Sequence, residues 1–133
     1  MGDTTEYGAD GVGFIDREYM PFSELRIPVT DMGFQLADMC YDAVHVWKGN
    51  FFRLDDHLDR FQQGLEKRRF DTLDYDRDAI TDICHGSVAR LGIDDAFVML
   101  IATRGTPMGP NKDLRTCKNR LIAWATPYHA IVS

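Results

Sequence analysis

The amino-acid sequence predicts an α+β fold, a mostly antiparallel sheet with two helices. Runs rich in β-formers lie near both ends of the chain, and helical periodicity occupies the middle. A Gly-Asn pair between two of the β-rich runs marks a hairpin. A chain of 133 residues holds one core and is too short for two.

The elements follow in order. Gly13-Phe14-Ile15-Asp16 and Glu18-Tyr19-Met20-Pro21-Phe22 read as a short hairpin with Asp16-Arg17 near its turn. Asp31-Met32-Gly33-Phe34-Gln35 has no regular pattern and is left unassigned. Tyr41 to Trp47 is a strand, Lys48-Gly49-Asn50 a turn, and Phe51 to Leu54 the returning strand. Asp55 reads as the N-cap of a helix in which Leu54, Leu58, Phe61 and Leu65 recur on one face through about Phe70. A second helix starts near Asp76, turns Ile80, Ile83, Val88 and Leu91 inward, and stops at Gly92. Ala96 to Ala102 and Leu121 to Ala125 are buried strands joined by a loop rich in glycine and proline.

A net charge of −6 leaves no basic surplus to neutralise nucleic-acid or membrane phosphates, so neither partner is expected. Cys40, Cys84 and Cys117 are odd in number and widely spaced, which fits a reducing cytoplasm better than a disulfide or zinc scaffold. No apolar run has membrane-spanning length. The acidic, polar start is unlike a targeting peptide, and residues 1–10 read as a mobile tail ahead of a domain at 11–133.

The chemistry-bearing stretch is Phe51-Phe52-Arg53-Leu54-Asp55-Asp56-His57-Leu58-Asp59-Arg60. Adjacent helical residues diverge by about 100°, so Asp55, Asp56 and His57 cannot chelate one ion, and no metal site is expected. Capping and the helix dipole account for the acids. They leave Arg60 open to two readings, a surface charge or part of an anion site.

Three blocks carry a resemblance: FIDREYMPFSELRIPVTDMGFQLAD from Phe14, YDAVHVWKGNFFRLDDHLDRF from Tyr41, and DAFVMLIATRG from Asp95. In this order and spacing they resemble the N-terminal small domain of the fold-type IV pyridoxal-phosphate enzymes, and among these most resemble the (R)-selective amine transaminases. The resemblance implies pyridoxal 5′-phosphate as cofactor, with Arg60 on its phosphate and His57 as structural support. It implies Tyr41, Phe97 and Met99 as the substrate wall. A homodimer acting on a small-molecule amine or amino acid and a keto acid is expected.

Two departures favour an amine. Gly109 and Asn111 stand where the D-amino-acid enzymes carry a carboxylate-gripping arginine and histidine, and Met99 stands where branched-chain enzymes carry an arginine. Lys112 or Arg115 is left as a mobile counter-charge. None of Lys48, Lys67, Lys112 and Lys118 matches the family's Schiff-base lysine, so the chain has no catalytic residue of its own. It is expected to lack the C-terminal catalytic-lysine domain and to be inactive alone. The alternatives are an aminodeoxychorismate lyase of the same family and a non-catalytic domain that binds a partner.

Overall fold

The computed structural model describes residues 10–110 and 113–128. Of the expected tail, only Asp10 lies within the described residues. Six strands form one sheet in the order β2-β1-β6-β5-β3-β4, every neighbouring pair antiparallel. They are β1 (Val12–Ile15), β2 (Glu18–Pro21), β3 (Met39–Trp47), β4 (Asn50–Phe51), β5 (Ala96–Thr103) and β6 (Arg120–Pro127). The helices are α1 (Met32–Leu36), α2 (Leu54–Lys67) and α3 (Arg77–Leu91).

Both hairpins turn on two residues of positive φ, which matches the right-handed twist of the strands. Asp16 and Arg17 (φ 51° and 65°) join Ile15 to its partner Glu18, as the sequence predicts. In the second hairpin the turn residues are Lys48 and Gly49 (φ 50° and 79°), and Asn50 is already paired with Trp47. The turn therefore lies one residue earlier than the Gly-Asn reading places it, and β4 is only two residues long.

That short strand explains a correction at the start of α2. Asp55 is not the N-cap. Arg53 occupies that position in a left-handed conformation (φ 55°) and makes no side-chain cap, and the helix begins at Leu54. The chain has only Phe52 and Arg53 in which to turn from strand to helix, and the left-handed residue makes the turn. Asp55 and Asp56 lie in the first turn, where they still complement the helix dipole. The far end also stops early, at Lys67. Arg69 is left-handed there, its N–H donates to the Glu66 carbonyl, and Phe70 N–H donates to the Leu65 carbonyl at 2.9 Å. This is a Schellman closure, and it tucks Phe70 into the core beside Leu65.

Helix α3 matches its expectation. Asp76 accepts from Ala79 N–H at 2.8 Å, and Gly92 ends the helix with φ 71°. The unassigned segment forms the one-turn helix α1. Its cap, Asp31, is fully buried and accepts from Gly33 N–H at 2.6 Å and Thr103 Oγ1 at 2.8 Å. It also pairs with Arg120, so one carboxylate ties α1 to the ends of β5 and β6.

Helices α2 and α3 supply Leu58, Phe61, Leu65, Ile80, Ile83 and Leu91 to the core. The sheet answers with Val46, Val98, Leu100, Leu121 and Ala123. The period of two puts the alternate residues on the opposite face. There the register makes three rows: Tyr41-Ile101-Ile122, Ala43-Met99-Trp124 and His45-Phe97-Thr126. Phe22 packs on Trp124, and Leu25 lies over Gly13, so the segment after β2 covers one end of this face.

Candidate active site

Strand β3 sends consecutive side chains to opposite faces. Tyr41, Ala43 and His45 face the side away from α2 and α3, while Asp42, Val44 and Val46 face α2. Asp42 is thus a carboxylate in a core-facing register, and its side chain is 1% exposed. Arg60 reaches it from α2 through two parallel bonds, Nε to Oδ2 at 2.7 Å and Nη2 to Oδ1 at 2.9 Å. Oδ1 also receives His57 Nδ1 at 2.8 Å and the Ala43 N–H at 2.9 Å. Burial pushes the Asp42 carboxyl up, but the hydrogen bonds from Arg60, His57 and Ala43 and the Arg60 charge outweigh it, and the net shift is downward. An ionised carboxylate only accepts, so His57 carries a proton on Nδ1.

Arg60 itself is 69% exposed, and the hydrogen bond and charge of Asp42 raise its pKa. It lines an open groove of about 470 Å³ with Tyr41, Asp42, Ala43, Gln63, Gly64 and Lys67. Two cations and a tyrosine therefore border a space beside β3. The surface reading of Arg60 is incomplete: one edge of its guanidinium is bonded to the sheet, and the residue lines this groove.

Tyr41 belongs to both neighbourhoods. It lines the groove and stands 67% exposed on the sheet face. Met99 and Phe97 share that face in the next two rows, half-buried, but do not line the groove. The structure thus joins Tyr41 to Arg60 and holds Phe97 and Met99 apart from it along the same face. A separate apolar hollow of about 370 Å³ opens on this face between Ile101, Ile122, Trp124, Met39, Phe22 and Ile27.

The acids beside His57 diverge as expected. Asp55 pairs with Arg77, Asp56 with Arg53, and His57 with Asp42. Among the described lysines, Lys67 lines the groove, Lys118 pairs with Asp74, and Lys48 lies beside Trp47. Gly109 is a left-handed turn residue with open space around it, while Asn111 and Lys112 lie outside the described residues. Arg115 is held by Asp113 at 2.9 Å. The residue that sequence reasoning missed is Asp42. Its signal is present, since alternation sets it on the same face as Val44 and Val46, where a carboxylate needs a partner.

The family model for class IV amino-transferases matches residues 39–130, which contain β3, both long helices and β5 and β6. The chain belongs to this family. The D-alanine aminotransferase of Staphylococcus aureus (strain MSSA476) is 25% identical over 92 residues, covering 69% of this chain and 32% of that protein. The D-alanine aminotransferase of Listeria monocytogenes (strain 10403S) is 28% identical over 82 residues, or 62% and 28% of the two chains. The branched-chain aminotransferase of Escherichia coli superposes with a TM-score of 0.80 at 15% identity, covering 93% of this class IV chain and 42% of the other. The branched-chain amino acid aminotransferase of Thermobaculum terrenum in its PLP form gives 0.74 at 15% identity, with 92% and 42% covered. These structural likenesses establish the fold. The class IV chain spans about a third of the curated relatives' length.

Proposed function

We propose that this domain supplies the phosphate anchor and the substrate wall of a pyridoxal-phosphate-dependent aminotransferase. The observation that carries the reading is Arg60, held by Asp42 through one guanidinium edge and lining the groove that Tyr41 and Lys67 also line. The donor set suits a phosphate monoester, because a guanidinium edge makes two parallel bonds to phosphate oxygens. The cofactor, when bound, acts as amino-group carrier and electron sink. Arg60 holds its phosphate, His57 and Asp42 hold Arg60, and Tyr41, Phe97 and Met99 orient the donor and exclude water. The cofactor-bearing lysine is assigned to the two thirds of the relatives' length that this chain does not span. The complete protein is proposed to be a cytoplasmic homodimer. The three thiols of this chain are unpaired, and among the described residues no helix is long and apolar enough to cross a membrane.

An amine donor is favoured over an amino acid. Phe97 and Met99 present no charge, and Gly109 bears no side chain at the place the resemblance gives to a carboxylate-gripping arginine. A substrate carboxylate there is left unpaired, which costs about 1–3 kcal/mol or more. The D-alanine aminotransferase relatives favour a second reading, a D-amino acid donor. The test is donor turnover with pyruvate or 2-oxoglutarate in a protein carrying this domain and the rest of the family length. Turnover of 1-phenylethylamine supports the amine. Turnover of D-alanine alone supports the second reading, and no transfer with any amine or amino acid contradicts the function.

A further inference from the structure

We infer that Asp42 is the positioning residue of the phosphate anchor, gripping the Arg60 guanidinium by one edge so that the other is presented, already oriented, to a phosphate monoester. The inference rests on the reading of Arg60 as a phosphate ligand and names what makes it one.

A guanidinium carries five N–H donors in one plane. Asp42 takes Nε–H at 2.7 Å and one Nη2–H at 2.9 Å, which lie on the same side of the group. Among the described residues Nη1 has no hydrogen-bond partner. Two of the three remaining N–H groups, one on Nη1 and one on Nη2, form the end edge that matches two phosphate oxygens. Asp42 cannot swing away from this grip. Its Oδ1 is held also by His57 Nδ1 and by the Ala43 N–H, its side chain is buried, and β3 is paired with β5 from Met39 to Val46.

An unpaired arginine on a helix surface samples many rotamers and loses that freedom on binding. Here folding has already removed it. The grip has an electrostatic cost, since the Asp42 charge offsets that of Arg60. Lys67, in the same groove, keeps the local balance positive. The gain from Asp42 is therefore one of orientation. Asparagine would not replace it, because an amide offers one accepting oxygen where Arg60 and His57 need two.

The test uses the ¹⁵N-labelled 133-residue chain with pyridoxamine 5′-phosphate and pyridoxamine as probes. Neither has an aldehyde to condense with lysines, and their affinity ratio isolates the phosphate contribution. The parent, Arg60→Ala, Asp42→Asn and the double variant are titrated. The phosphate preference should fall about tenfold in each single variant and no further in the double. Pyridoxamine alone should bind the parent and Asp42→Asn equally. A parental preference in Asp42→Asn, an equal loss for both probes, or additive losses in the double variant would overturn the positioning role. A parental preference in Arg60→Ala would remove the phosphate reading, and this inference with it. Should Asp42→Asn not fold, the parent decides. Its Arg60 Nε–H signal should be protected from water exchange and should persist at saturating pyridoxamine 5′-phosphate. Exchange as fast as in free arginine overturns the inference.

Discussion

Asp31 and Asp42 are buried carboxylates on which several donors converge, and neither stands out in composition or motif. Asp31 holds Thr103, Gly33 and the mostly buried Arg120. Asp31→Ala leaves that arginine unpaired and should cost about 2–5 kcal/mol in urea unfolding. Asp42 makes stability depend on pH with a definite sign. Its folded pKa is lowered, so its contribution is complete above the ordinary value of 3.8 and is lost as pH falls through the folded value. Acid unfolding below about pH 4 should therefore flatten in Asp42→Asn. Burial raises the Cys84 thiol to about 12, whereas Cys40 is half-buried. A thiol reagent should label Cys40 first and Cys84 only at the rate of unfolding. At this scale Arg60 and His57 were legible, because they sit in a distinctive motif. The buried register of Asp42 could be read from alternation, but its pairing with them could not, because it lies 15 residues from one and 18 from the other.

Elements were legible where periodicity or capping chemistry set them, and shifted where backbone conformation did. Helix α3 has both a capping aspartate and a terminal glycine, and its limits agree with the sequence. Helix α2 starts and stops on left-handed arginines, Arg53 and Arg69, which no propensity singles out. The turn ahead of β4 moved by one residue for the same reason, with Lys48 in the left-handed region. Glycine matters most where β5 leaves the sheet. Gly105 has φ 91°, and any Cβ there would overlap the Lys118 carbonyl. Gly109 has φ 79° but faces open space. Gly105→Ala should cost about 2–4 kcal/mol and Gly109→Ala about 1 kcal/mol, as measured by thermal or urea unfolding.

The α+β class and the sequence of strands and helices could be read from pattern. The strand order could not, because β1 pairs with β6 across nearly the whole chain and local periodicity carries no such information. The residue rows on the open sheet face follow from that long-range register, and with them the grouping of Phe97, Met99, Ile101, Ile122 and Trp124. An apolar face of this kind favours association. Sedimentation of the chain at tens of micromolar should show self-association, and Met99→Lys should reduce it. The central claim concerns the other side of β3, where Arg60 is held as a phosphate anchor. Its most direct test is cofactor retention after exhaustive dialysis of a protein carrying this domain and the remaining family length. The parent should keep close to one pyridoxal 5′-phosphate per chain, and Arg60→Ala should bind it ~10–100-fold more weakly and emerge depleted. Equal retention by the two proteins would contradict the claim.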